Sequence, residues 1–175
     1  HVMINMLPND DSKILAENYN GLNILDRHTN KIYAFSKDRE FKDSAGYGGF
    51  VDVIQDENGI NWFACWGRGL IRYDPKNNSI KQFLPDPKDS TSISTNNLNH
   101  LIEDKAGGLW IGSGDGINNL NRQTGRFKHY VRGSFIASLY EDSRSNIWAG
   151  TEKGLYRYDK KKDDFYAFFD PYSEI

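Results

Sequence analysis

The chain has 175 residues, and the hydrophobic share of 38% suits one folded domain or one compact piece of a larger one. Its 22 Lys and Arg residues against 24 Asp and Glu residues argue against a nucleic-acid partner, which needs clustered positive charge. No run of about 18 apolar residues occurs, so we expect no membrane contact by this segment. One cysteine and four scattered histidines form no ligand pattern, so neither a metal nor a cofactor is expected.

Four copies of one motif follow each other along the chain, and the first copy is the least typical. The motif is an Asp, a Trp six residues later and then a Gly followed by an apolar residue. The first copy keeps Gly21 and Leu22 but has Asn9 in place of the Asp and Leu15 in place of the Trp. The other three copies are complete: Asp56, Trp62 and Gly69; Asp104, Trp110 and Gly116; Asp142, Trp148 and Gly154.

The second copy offers four short runs with the composition of β-strands, at 50–54, 61–65, 69–73 and 80–84. Residues typical of turns separate these runs, and no segment has the apolar period of a helix. The third and fourth copies repeat the arrangement, with the motif glycines 48, 47 and 38 residues apart.

Four antiparallel strands in a repeat of this length are typical of a propeller blade. We therefore predict an all-β fold, a β-propeller with four consecutive four-stranded blades. The predicted blades cover residues 1–37, 48–85, 97–132 and 134–170.

The repeated residues are interpreted as structural, because a scaffold requires periodicity. Each Asp is expected to accept backbone N–H bonds and hold the first hairpin turn. Each Trp is expected to wedge between neighbouring blades. Each Gly is expected to allow close backbone approach where the blades converge on the axis.

A ligand is expected on the face that carries the loops between second and third strands and the loops between blades. Exposed aromatic side chains beside carboxylate and guanidinium groups suit a sugar ring and its hydroxyls. The candidate ligand-binding residues are Trp66, Arg68, Tyr19, Tyr47 and Asp115. The alternative is that Trp66 only covers a neighbouring blade and Arg68 pairs locally.

No catalytic residue is expected in this segment. The histidines fall at unrelated repeat positions, and none of the familiar nucleophile, metalloprotease, P-loop or dinucleotide-binding motifs is present. A catalytic set drawn from several blades stays open as an alternative.

Residues 103–113 resemble the two-component-regulator propeller repeat, and residues 141–151 and 154–159 resemble it as well. Residues 62–70 are similar to a variant of this repeat with an inserted Trp-Gly. The first copy departs from the pattern at its Trp and Asp positions.

This resemblance implies the periplasmic sensor region of an inner-membrane hybrid two-component histidine kinase, which signals through a phosphorelay. Relatives of this kind detect oligosaccharides and control polysaccharide-utilisation genes, so an oligosaccharide is the implied ligand. The resemblance also implies that the four blades form part of a larger, seven-bladed ring. An open four-blade arc is expected to self-associate or to pack against neighbouring blades. The alternatives are a propeller enzyme of the streptogramin-lyase type and a protein-docking propeller.

Overall fold

The computed structural model describes residues 3–7, 10–18, 21–34, 49–77 and 79–169. These residues form sixteen β-strands in four antiparallel sheets, and each sheet pairs its strands in chain order. The first sheet contains β1 (Met3–Leu7), β2 (Asp10–Asn18), β3 (Gly21–Asp26) and β4 (Lys31–Ala34). The second contains β5 (Phe50–Gln55), β6 (Asn61–Cys65), β7 (Gly69–Asp74) and β8 (Ser79–Phe83).

The third sheet contains β9 (Leu98–Glu103), β10 (Leu109–Ser113), β11 (Gly116–Asn121) and β12 (Arg126–Tyr130). The fourth contains β13 (Ile136–Glu141), β14 (Ile147–Thr151), β15 (Gly154–Asp159) and β16 (Asp164–Phe169). The predicted all-β architecture of four consecutive four-stranded blades is confirmed. The blade boundaries at 1–37, 48–85, 97–132 and 134–170, and the seven-bladed ring, remain proposals.

The first strand of each sheet lies on the inside of the arc. Strands β5 and β9 contact each other, as do β9 and β13, whereas the fourth strands make no comparable contact across the described sheets. The sheets therefore converge along their first strands and spread outward, which is the arrangement of propeller blades.

The hydrophobic core lies between the sheets. Trp62 and Leu70 of the second sheet pack with Leu98, Leu109 and Phe127 of the third. A second cluster joins the third and fourth sheets, with the side chains of Trp110, Ile117, Tyr130, Ile136, Leu139 and Phe165. Each fully buried side chain of this size contributes about 1.5–3 kcal/mol, so the interfaces between blades hold the fold together.

The long loop between the second and third sheets, residues 84–97, also packs into this core. Ile93 is only 1% exposed and joins the cluster between the two sheets. The carbonyl of Thr91 accepts the Phe127 N–H at 2.7 Å, and the Ser94 N–H donates to Asn118 Oδ1 at 2.8 Å. These bonds fix the loop to strands β11 and β12 of the third sheet.

Candidate functional site

One carboxylate organises the first hairpin of each of the last three blades. The indole N–H of Trp62 donates to Asp56 Oδ2 at 2.8 Å, and the same bond joins Trp110 to Asp104 at 2.6 Å. In the fourth blade the corresponding bond, between the motif Trp and Asp, measures 2.9 Å. The other carboxylate oxygen accepts backbone N–H groups two and four residues further on. Sequence reasoning named the backbone bonds but missed the indole bond, although the constant spacing of six residues was its signal.

A glutamate then ties the first two of these turns to the following blade. Glu103 Oε2 accepts the N–H of Glu57 at 3.2 Å, and Glu141 Oε2 accepts the N–H of Lys105 at 2.9 Å. Both acceptors directly precede a motif Asp. Sequence analysis gave these glutamates no role, because their partners lie in the preceding blade.

Arg122 adds an ionic link between the second and third blades. Its guanidinium lies 3.1 Å from Asp56 Oδ2 and 2.8 Å from Glu103 Oε1. It also stacks 5.6 Å from the Trp62 ring. The Asp56 side chain is only 2% exposed, so this cation balances a buried carboxylate.

The motif glycines lie close to backbone atoms, but this close approach is not at the propeller axis. Gly69 has a φ of +69°, and a Cβ added there would lie 2.2 Å from the carbonyl oxygen of Phe83. Gly116 has a φ of +95°, and its added Cβ would lie 2.5 Å from the carbonyl oxygen of Tyr130. Both carbonyls belong to the ends of fourth strands. The close approach is therefore at the outer side of the same blade, which corrects the position expected from the sequence.

Two of the five predicted ligand residues lie outside the described residues, namely Tyr19 and Tyr47. Trp66 lies in the β6–β7 loop and is 43% exposed. Arg68, in the same loop, is half-buried, and its carbonyl accepts Gln82 Nε2 at 2.9 Å. Asp115, in the β10–β11 loop, accepts the Gly133 N–H at 2.9 Å.

The structure places Trp66 and Asp115 on the same side of the arc. Trp66 forms a β-bridge with Asn97, whose carbonyl accepts the N–H of Gly114 at 3.0 Å. The loop that follows β12 brings two further side chains to this side, both exposed, which sequence reasoning missed. We call the resulting set the mouth surface: Trp66, Asn97, Asp115, Arg132 and Phe135.

His100 and His129 lie at contacts between blades or with loops, whereas His28 is exposed in the turn between β3 and β4. His100 Nδ1 lies 3.7 Å from Asp52 Oδ2, beyond hydrogen-bonding distance, and that oxygen accepts the Leu101 N–H at 2.8 Å. His129 Nε2 lies 2.9 Å from the carbonyl oxygen of Ser92. No three potential metal-binding side chains come together within the described part of the chain. Among the same residues, no helix has the length and apolar character needed to span a membrane.

Four sheets that converge along their first strands define the chain as a series of β-propeller blades. Two segments, residues 92–115 and 130–153, match the model of the two component regulator propeller. Each segment includes the first two strands of a blade. These parts of the third and fourth blades therefore match the repeat that the resemblance in the sequence predicted.

The chain is also similar to parts of known proteins. Over 64 residues the chain is 32% identical to Histidine kinase P4 of Formosa agariphila, a stretch of 37% of this chain and 5% of the kinase. The extracellular domain assigned to a hybrid two-component system of B. thetaiotaomicron superposes with a TM-score of 0.67 at 21% identity, covering 97% of this chain and 24% of that domain. A second such domain from the same organism gives 0.59 at 20% identity, covering 95% and 29%.

Enzymes also share this fold. Virginiamycin B lyase from Staphylococcus aureus superposes with a TM-score of 0.59 at 17% identity, covering 99% of this chain and 61% of the lyase. At such identities the likeness establishes the propeller fold alone. The chain spans only a small part of the histidine kinase and of the extracellular domains that it matches.

Proposed function

We propose that this chain is an extracytoplasmic sensing segment of a hybrid two-component histidine kinase. The observation that carries the proposal is the repeat match on two blades, together with the identity to a histidine kinase over 64 residues. In this proposal the segment lies in the periplasm as part of an inner-membrane protein. It binds a ligand without changing it, and the kinase elsewhere in the protein starts the phosphorelay.

The proposed ligand is an oligosaccharide bound at the mouth surface, whose degradation genes the system controls. The exposed face of Trp66 can stack on a sugar ring. The amide of Asn97, the carboxylate of Asp115 and the guanidinium of Arg132 supply both donors and acceptors for hydroxyl groups. This mixture of one aromatic platform and several polar groups is common in small-molecule sites.

The mouth surface includes residues of two blades, and this position allows ligand binding to change how the blades are arranged. Trp66 belongs to the second blade and Asp115 to the third, and Asn97 of the loop between them contacts both blades. A ligand that touches all three residues binds one relative position of the blades better than another. That difference in affinity is what a ligand needs to shift a conformational equilibrium.

The test is titration calorimetry of the full chain with a panel of purified oligosaccharides. The Trp66→Ala variant should bind the best ligand about tenfold more weakly, a loss of about 1.4 kcal/mol. Tyr140→Ala is the matched control, because Tyr140 is 64% exposed and lies on strand β13, away from the mouth surface. Its affinity should equal that of the unchanged chain.

Three results would contradict the proposal. Equal affinity of the Trp66→Ala variant would remove the mouth surface as the site. Conversion of the oligosaccharide into a product would favour the lyase alternative. Binding of no oligosaccharide, with a protein partner bound instead, would favour the docking alternative.

A further inference from the structure

A cleft of about 520 Å³ opens on the side of the arc opposite the mouth surface. We call it the turn-side cleft, because hairpin turns of the second and third blades form its walls. Its lining includes Asn58, Lys76, Lys81, Arg122 and Thr124. Its volume falls within the range of small-molecule sites, about 300–1,000 Å³.

Positive charge exceeds negative charge in this cleft. Four cationic side chains line it, and only two carboxylates do so. Arg72 pairs with Asp74 at 3.4 Å, and Arg122 pairs with Asp56 at 3.1 Å. Both lining carboxylates are thus paired with arginines, and no described ion pair includes either lysine.

The next blade junction shows what an amine in this position binds. The strand pairing places Lys81 on β8 opposite Arg72, and it places Lys128 on β12 opposite Asn119, the corresponding residue of the third blade. The amine of Lys128 forms an ion pair with Asp163, which lies in the β15–β16 turn of the following blade. At this junction a carboxylate therefore neutralises the lysine.

At the turn-side cleft, glycine replaces that carboxylate. Gly125 lies nine residues after Gly116, just as Asp163 lies nine residues after Gly154. Both residues have left-handed backbones, with φ of 73° and 51°. A Cβ added at Gly125 would lie 3.5 Å from the amine of Lys81. The amine of Lys81 thus lies beside the position where the next junction has an acid, and at the cleft the residue at that position has no side chain.

We propose that the turn-side cleft binds an oxyanion of a small acidic ligand, a carboxylate or a sulfate group. Lys81 forms an ion pair with the oxyanion of the ligand, as Lys128 does with Asp163, and Lys76 adds a second positive charge. The hydroxyl of Thr124 and the amide of Asn58 supply neutral donors. This site is separate from the mouth surface and lies on the opposite face.

The experiment is an NMR titration of the full chain, labelled with ¹⁵N, using D-glucuronate, D-glucose 6-sulfate and uncharged D-glucose. Both acids should shift the amide signals of the β11–β12 turn around Gly125, and glucose should not. Lys81→Met keeps an aliphatic stem over the Phe83 ring, which the amine faces at 4.6 Å. This variant should bind the acids at least about tenfold more weakly, as expected for losing a hydrogen bond to a charged group.

Two further variants make the result decisive. Lys88→Met removes one charge from an exposed lysine in the loop 84–97, outside the cleft, and should leave the affinity unchanged. Gly125→Asp restores the carboxylate of the next junction, and it should abolish acid binding while the fold is retained, since Asp163 adopts the same backbone conformation.

The proposal is overturned if Lys81→Met and Lys88→Met bind the acids equally, or if glucose binds as well as glucuronate. It is also overturned if neither acid shifts the signals at tens of millimolar. Trp66→Ala should not change acid binding, so this result stays separate from the test of the mouth surface.

Discussion

Single carboxylates hold the turns of this chain in two ways. The motif residues Asp56, Asp104 and Asp142 bind the indole and the turn of their own blade. Asp163 instead joins two blades, since it accepts hydrogen bonds from Lys128 and from a tyrosine of each blade. These bonds lower the pKa of Asp163 to about 2, and the bond from Lys128 makes the largest contribution. Burial raises the pKa of Tyr158 to about 12.

The lowered pKa of Asp163 makes the stability of the fourth blade sensitive to acid. Folding favours the charged form, so its contribution is complete above about pH 4 and is lost as the pH falls through about 2. The side chain is 55% exposed, so we expect less than about 1 kcal/mol from it. Urea unfolding followed by tryptophan fluorescence should give a smaller decrease in stability between pH 4 and 2 for Asp163→Asn than for the unchanged chain.

Asparagine tolerates the left-handed backbone of residue 163. Backbone strain therefore does not contribute to the difference in stability between this variant and the unchanged chain. Lys128→Gln removes the main cause of the lowered pKa and should reduce the acid sensitivity similarly. A decrease between pH 4 and 2 that is identical in all three proteins would contradict the assignment.

Sequence reasoning reached the residues that repeat and missed those that act across blades. The regular spacing of Asp104 and Trp110 marked both as structural residues of the turn. Glu103 precedes the motif in the same way in only some copies, and its partner, the N–H of Glu57, lies 46 residues away. Asp163 lies in a run of charged residues, 159–164, which is typical of a solvated turn. A single sequence does not show which neighbouring blade such a side chain contacts.

At the scale of the strand, the glycine that begins each third strand sets how tightly the blade closes. Strand β7 begins at Gly69 and β11 begins at Gly116, both with positive φ and both against a carbonyl of the neighbouring fourth strand. The short runs with β-strand composition, separated by turn residues, were enough to predict four strands in each blade. The sequence could not show that these glycines contact the fourth strand, because this contact depends on the path of the chain at the end of the sheet.

Gly133 provides a matched control for the effect of that contact. It has a φ of +72°, close to that of Gly69, but an added Cβ would meet nothing within 4 Å. Gly133→Ala should therefore cost only the left-handed backbone strain, about 1–2 kcal/mol. Gly69→Ala adds a clash with a backbone carbonyl and should cost about 3 kcal/mol or more. Urea unfolding of both variants checks the difference, and equal losses would show that the carbonyl contact is unimportant.

At the scale of the whole molecule, the outward face of the fourth sheet differs from the faces before it. Trp62 and Trp110 are 3% and 4% exposed, because the following blade covers each of them. Trp148 stands at the same repeat position but is only half-buried, and no described residue of a further blade covers it. It packs against Phe168 at 4.9 Å, and Phe168 itself is 53% exposed. With Tyr140, which is 64% exposed, these rings form an open aromatic face.

This face is expected to bind another blade, either from a second copy of the chain or from a neighbouring part of a longer propeller. A contact between unlike faces of two copies is head-to-tail, so it can continue beyond a dimer. Sedimentation velocity of the 175-residue chain should then show association that increases with concentration. Phe168→Ser should shift the chain toward monomer, because it removes exposed apolar area from the face. The control is Phe135→Ser, which removes a ring that is 43% exposed from the mouth surface and should sediment like the unchanged chain. If the unchanged chain stays monomeric at every concentration, association through this face is contradicted.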